Sequence, residues 1–250
     1  MNSGNNKRCW LILSLNIRGI NSEGKWDAIR SKISESKSDI ICLQETKKES
    51  FDISCIKKFC TPQLDSFAFL PSIGACGGSL IVWNGSKLSR EEIFQNEFAQ
   101  SVELTCKLSE LSWILTNVYA PCTPEGKVIF FYWFRDISMP DDLNWLIVGD
   151  FNLIRSPKNR NKPSGNLQEM FAFNEEISRL RLVEIRLKGC KFTWTNKQLN
   201  PLLERLGWFF TSNSWTTTLP NTVASAMSRA LSGGETLISF LIFSRDWPKQ

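Results

Sequence analysis

Four short apolar runs each end on a polar residue, and this arrangement constrains the fold more than any other feature of the chain. Trp10-Leu-Ile-Leu-Ser-Leu15 leads into Asn16, and Asp39-Ile-Ile-Cys-Leu-Gln-Glu45 closes on a carboxylate. The run from Trp113 closes on Tyr119, and Asn144 to Val148 opens into Gly149-Asp-Phe-Asn152. Apolar runs of about four to eight residues bounded by turn signals suit strands covered on both faces. If such strands lie side by side, the polar residues at their ends emerge on one rim.

The rest of the pattern fills in an α/β fold. Trp26, Ile29 and Ile33 fall at helical spacing behind Ser22, which is placed to act as N-cap. Ser79 to Trp83 is a short apolar run, and Ser101-Val-Glu-Leu-Thr-Cys-Lys107 alternates as a strand does. Residues 124–138 suit a helix, and Leu167, Met170, Phe171, Asn174, Ile177 and Leu180 mark the face of another. Phe192 to Trp194, Arg205 to Phe210, Asn221 to Met227 and Leu237 to Ile242 read as further short strands. Strands dominate with helices between them, which favours two packed sheets flanked by helices over a doubly wound sheet. At 250 residues and 42% hydrophobic the chain supports one large core. We expect a flexible N-terminus over 1–8, a single domain over 9–242 and a C-terminal tail over 243–250.

The net charge of +5 is unevenly placed. Residues 1–150 carry 16 basic and 18 acidic side chains, and residues 151–250 carry 14 and 7, so the second part could attract a polyanion. Eight cysteines show no CxxC pair and no zinc-ligand spacing, and the chain has no histidine. They read as reduced, mostly buried thiols of an intracellular, soluble protein. No segment has the length of a signal peptide's apolar region or of a membrane span.

Phosphodiester hydrolysis needs a hard cation held by oxygen ligands, a group that activates water, and donors for the charge that develops on the phosphoryl oxygens. Asn16, Glu45, Tyr119, Asp150 and Asn152 are the candidates at strand ends. Taken singly, each is equally a solvated carboxylate, a turn residue or a core aromatic. Their order along the chain carries the signal. Asn16-Ile-Arg-Gly19, Leu43-Gln-Glu-Thr46, Asn117-Val-Tyr-Ala-Pro121 and Gly149-Asp-Phe-Asn152 together resemble the successive motifs of the endonuclease/exonuclease/phosphatase superfamily, the deoxyribonuclease-I-like enzymes. Arg18-Gly19, Gly189-Cys-Lys-Phe-Thr-Trp194 and Trp215 are similar to the endonuclease domain of plant LINE-type non-LTR retrotransposons.

The resemblance implies a four-layer α/β sandwich, two stacked and mainly antiparallel sheets flanked by helices, with the site at their upper edge. It implies Glu45 as principal ligand to Mg2+ or Mn2+, with Asn16 helping to place the metal and the scissile phosphate. Asp150 would orient or deprotonate the attacking water, while Asn152 and Tyr119 would bond phosphate oxygens. DNA is the implied partner; no stable protein partner and no membrane are expected.

One motif of the family is broken. Where the family carries Ser-Asp-His near its end, this chain reads Leu231-Ser-Gly-Gly-Glu235, so Gly233 and Gly234 stand for the Asp and His. Gly207, in Arg205-Leu-Gly207, stands where the family has an aspartate that holds this histidine. Loss of a positioned acid/base costs about 10²–10⁴-fold in rate, so impaired or absent cleavage is expected. An active nuclease with a substitute proton carrier such as Glu235, a phosphatase of small phosphorylated compounds and a non-enzymatic relic are the alternatives. The segment after Asn152 brings Arg155, Lys158, Arg160 and Lys162 beside the rim, where they could grip flanking phosphates. Arg179, Arg181, Arg186, Lys188 and Lys191 suit a helix surface instead. Trp10, Trp26, Trp83, Trp113, Trp133, Trp145 and Trp194 are expected in the core.

Overall fold

A computed structural model describes residues 9–74, 76–138, 142–227 and 239–245. The first strands are β1 (Cys9–Asn16), β2 (Ile40–Gln44), β3 (Leu64–Ile73), β4 (Cys76–Asn84), β5 (Leu88–Gln95), β6 (Ala99–Cys106), β7 (Ser112–Tyr119) and β8 (Trp145–Asp150). After them come β9 (Val183–Glu184), β10 (Leu187–Lys188), β11 (Trp194–Thr195), β12 (Leu203–Glu204), β13 (Gly207–Thr211), β14 (Val223–Ala226) and β15 (Ser239–Arg245). The α-helices are α1 (Glu23–Ser36), α2 (Ile53–Ile56), α3 (Pro124–Asp136), α4 (Leu167–Arg179) and α5 (Asn213–Thr218).

The strands form one sheet in the order β10-β14-β15-β1-β2-β4-β3, a second in the order β5-β6-β7-β8-β13-β9, and a small β11-β12 ribbon. Pairing is antiparallel except for β1 with β2, β7 with β8, and β10 with β14. The period-two pattern of β2 shows why the sheets stack. Ile40 and Cys42 join the core between the sheets, whereas Ile41 and Leu43 pack toward Ile29 and Ile33 of α1. In β8, Leu146 and Val148 likewise enter the shared core, while Trp145 and Ile147 face Phe130 and Phe134 of α3 and Phe173 of α4. Each sheet thus has one face on its partner and one under helices, giving the four layers expected. Full burial of a large apolar side chain is worth about 1.5–3 kcal/mol, so these two-faced strands anchor the molecule.

Several sequence expectations are refined. Ser22 stands before α1 in extended conformation, but its side chain makes no capping bond. Its carbonyl accepts from the Lys25 and Trp26 N–H groups instead. Asn166 does cap α4, accepting from the Gln168 and Glu169 N–H groups. Trp10, Trp83, Trp113 and Trp145 are buried, whereas Trp26 and Trp133 are only partly so. Among the described cysteines, Cys42, Cys60 and Cys106 are buried, Cys55 and Cys190 half-buried, and Cys76 and Cys122 exposed. Burial pushes the Cys42 and Cys60 thiols well above the ordinary range, so they stay protonated. No described helix is long and apolar enough to cross a membrane.

Candidate active site

Register brings the rim together. Asn16 pairs with Gln44, so Glu45 emerges beside it from the next position of the neighbouring strand. In the other sheet Tyr119 pairs with Asp150, and Asp150 pairs on its far side with Gly207. A close backbone approach fixes this second pair. Gly149 has φ +148°, and a Cβ there would lie 2.0 Å from the Val118 carbonyl oxygen, so the residue before Asp150 must be glycine. Glu45 (φ +56°) and Asn152 (φ +48°) leave their strands through left-handed turns that direct their side chains away from the ladder.

These side chains open into a cleft of about 730 Å³ between the ends of the two sheets, lined by Asn16, Glu45, Tyr119, Asp150 and Asn152. All five residues expected from the strand ends therefore share one cavity. Asn16 Nδ2 donates to Asp150 Oδ2 at 2.7 Å, and the Asn152 N–H donates to Asp150 Oδ1 at 3.1 Å. Asn152 Nδ2 donates to the Ala120 carbonyl at 2.6 Å, leaving its second hydrogen for another acceptor. The Tyr119 phenol lies close enough to the Glu45 and Asp150 carboxylates to feel their charge. Lys47 Nζ lies 3.1 Å from Glu45 Oε1.

The electrostatics follow from burial. Desolvation raises the Asp150 carboxyl above the ordinary carboxylate range, opposed by its bonds from Asn16 and Asn152, so its carboxylate is the more basic. Burial and then the charges of Glu45 and Asp150 push the Tyr119 phenol far up. It is a standing hydrogen-bond donor rather than a base.

The donor set suits a hard divalent cation. Among the described residues no three Asp, Glu, Cys or His side chains converge, but Mg2+ typically takes one or two carboxylates and completes its shell with water and phosphate. The Glu45 carboxylate in the cleft and the Asn16 amide oxygen provide oxygen ligands of that kind, with Asp150 adjacent.

The four basic residues after Asn152 separate. Arg160 lines the cleft, paired with Glu204 at 3.4 Å. Arg155, Lys158 and Lys162 do not line it. Arg155 is drawn inward by an ion pair with Glu184 and by the Trp208 and Phe210 rings, with its guanidinium carbon 5.6 Å and 5.8 Å from their centroids. Lys162 reaches the Asn200 carbonyl at 2.5 Å, bracing the β11-β12 loop. Of the second basic cluster, Arg179 pairs with buried Glu176 and donates to the Phe134 and Ile137 carbonyls, tying α4 to α3.

Other cleft residues escaped the sequence reading. Arg18, Cys122, Lys127, Glu169 and Lys197 line it, and so does Trp194, which was expected in the core. Trp194 is half-buried against Ile154, Met170 and Leu206, with another part of it facing the cleft. Arg18 and Trp194 lie in motifs that carry the family resemblance but were given no role in the cleft, and only fold geometry joins the other positions to it. Gly207 abuts a second, small cavity of about 40 Å³ that also touches Ser14, Asp150, Thr193 and Trp194. Gly233 and Gly234 lie outside the described residues.

Comparison with known proteins agrees with this architecture. A 3'-5' exonuclease from Neisseria meningitidis has a similar fold, with a TM-score of 0.71 at 15% identity over 95% of this chain and 100% of that one. An AP endonuclease from Archaeoglobus fulgidus gives a TM-score of 0.71 at 14% identity, over 93% and 98% of the two chains. The endonuclease domain of TRAS1, a telomere-specific non-LTR retrotransposon, gives 0.64 at 11% identity, over 93% and 98%. At such identities the likeness is one of fold. No curated protein sequence matches. A family model does match over residues 13–240, which contain the whole constellation, and the chain belongs to the Endonuclease/Exonuclease/phosphatase family.

Proposed function

We propose that the chain is a retrotransposon-derived, DNA-binding endonuclease-like domain in which phosphodiester cleavage is strongly reduced. One observation carries the reading. Asn16, Glu45, Tyr119, Asp150 and Asn152 converge in one cleft, while the 250 residues contain no histidine and the backbone opposite Asp150 is Gly207.

Glu45, with the Asn16 amide oxygen, would hold Mg2+ or Mn2+. Such a cation, when bound, draws charge from a phosphoryl oxygen. The chain's own groups supply the rest. Asp150, made basic by burial, takes the proton of an attacking water; Asn16 and the Asn152 N–H keep its two oxygens oriented. Tyr119, kept protonated by burial, would donate its hydroxyl hydrogen toward phosphate, as would the remaining amide hydrogen of Asn152. No histidine is available to protonate the leaving oxygen, and a missing general acid lowers rates by about 10²–10⁴-fold.

A nicking assay on supercoiled plasmid with Mg2+ tests this. We expect slow nicking that Glu45→Ala abolishes, and a gain of about 100-fold or more in the triple variant Gly207→Asp, Gly233→Asp, Gly234→His. Wild-type protein that nicks as fast as the triple variant would overturn the impairment. Nicking that survives Glu45→Ala would remove Glu45 from the site.

A further inference from the structure

We propose that Arg18 is the phosphate-binding cation of the cleft, gripping non-bridging oxygens of a DNA phosphate beside Glu45 and Asp150; the assignment rests on the nuclease reading above. Several cations surround the cleft, and most are already committed. Lys127 Nζ is 2.8 Å from Glu169, Arg160 Nε 3.4 Å from Glu204, and Lys47 Nζ 3.1 Å from Glu45. Arg18 lines the same cleft and is exposed, yet its guanidinium has no hydrogen-bond or ion-pair partner among the described residues.

Its backbone, by contrast, is tightly held. The Ile17 N–H donates to the Gln44 carbonyl at 3.1 Å, Gly19 to Glu45 at 2.7 Å and Ile20 to Thr46 at 3.1 Å, so the turn carrying Arg18 is zipped to the strand end carrying Glu45. The Arg18 N–H itself donates to Asn16 Oδ1 at 3.2 Å, and the residue sits at φ +50°. A side chain launched from a pinned, left-handed position beside the catalytic carboxylates, with its charge unpaired, is poised for an anion that arrives from solution.

Position and chemistry both point to phosphate. Arg18 also lines the small cavity beside Gly207, on the wall from which the family's aspartate is missing. Its positive charge acts on Asp150, favouring the carboxylate. A guanidinium offers a planar fork of N–H donors that matches two phosphate oxygens at once and keeps its charge at any working pH. It can therefore stabilise phosphate charge through its N–H donors, but a guanidinium is too weak an acid to hand a proton to a leaving oxygen. This combination gives DNA binding without restoring cleavage.

The test is DNA affinity, measured by fluorescence anisotropy with a 20-base-pair labelled duplex in EDTA over a salt series. Full-length wild type, Arg18→Gln, Arg18→Lys and the exposed control Lys57→Gln would be compared, with melting curves confirming the fold. Arg18→Gln is expected to weaken binding about tenfold or more and to shrink the slope of log K against log salt by about 0.9, one phosphate contact. Arg18→Lys should recover the slope but not the full affinity, because the fork is lost. Lys57→Gln should stay within about twofold of wild type, since an exposed charge away from the cleft adds little. Wild-type binding that Arg18→Gln leaves within twofold and with unchanged slope overturns the assignment while the nuclease reading stands. Should the glutamine variant melt early, Arg18→Met takes its place, and affinity within twofold of wild type with an unchanged slope in that variant overturns the assignment. A wild-type chain that fails to bind DNA, alongside a triple-restored variant that also fails, overturns both.

Discussion

Several residues that line or border the cleft carry backbone strain or a buried charge. Arg18, Glu45, Lys47 and Asn152 hold positive φ without being glycine, a conformation that costs on the order of 1 kcal/mol or more at each and persists where surrounding structure fixes it. Asp150 adds an electrostatic cost of its own. Because burial raises its pKa in the folded state, the folded chain holds this proton more tightly than the unfolded chain. Stability from this group is thus present below the ordinary Asp value of about 3.9 and is lost as pH climbs through the raised native value. Asp150→Asn cannot ionise and escapes that loss. Its melting temperature, in EDTA, should therefore move upward relative to wild type as pH rises from about 3.5 and level off above the native pKa. A difference that is flat in pH, or that moves the other way, would show that Asp150 is not ionising at a cost. The five rim residues were legible because each follows an apolar run and their order matches a family pattern. Arg18 stood in a quoted motif but was given no role, because its importance lies in the partners that neighbouring cations have and it lacks.

At the scale of elements, the distance between the two halves of the site is set by strands that touch through polar groups inside the sandwich. Gln44 Nε2, one residue before Glu45, donates to Asn117 Oδ1 at 2.6 Å and to Ser14 Oγ at 3.1 Å. Asn117 Nδ2 in turn donates to the Leu43 carbonyl at 3.0 Å, so β2 and β7 are clamped across the inter-sheet core just below the rim. Removing one partner strands the other without water, which costs about 1–3 kcal/mol, whereas removing both is less damaging. Gln44→Leu and Asn117→Leu should each lower the unfolding free energy from urea titration by such an amount, and the double variant should lose less than the sum. Strictly additive losses would mean the amides are not coupled. The strands of this clamp were legible from their apolar runs. β5 was not, since Leu-Ser-Arg-Glu-Glu has the charge of an exposed edge. Strands β9, β10 and β12, each two residues long, are too short to carry a period, and α5, built from Asn-Ser-Trp-Thr-Thr-Thr, has poor helix propensity and holds through Trp215 packing and the Ser212 cap.

The whole molecule is organised around a strand drawn from the far end of the sequence. β15 lies between β14 and β1, pairing from Ser239 with Leu15 to Arg245 with Cys9, and β1 in turn carries Asn16 against Gln44. The sheet that presents half of the site is therefore closed only when the last described strand docks beside the first. The four runs implied strands, and the alternation of strands with helices, together with the family resemblance, implied two stacked sheets. That β15 would lie between β14 and β1 was beyond reach, because strand order is fixed by packing between distant segments rather than by local pattern. Such non-local pairing has consequences for folding: loop-closure entropy is spent before contacts form, which slows the search and makes the final strand decisive. A chain ended at Met227 would leave β1 and β14 with unpaired edges in the middle of the sheet, where backbone N–H and C=O groups are costly to leave unmet. It should lose the sharp thermal transition of the full chain, and amides of β1 and β2 should exchange with solvent within minutes rather than being protected. If the shortened chain melts cooperatively within a few degrees of the full one, β15 is an accessory to the sheet, and Asn16 and Glu45 owe their placement to β2 and β4 alone.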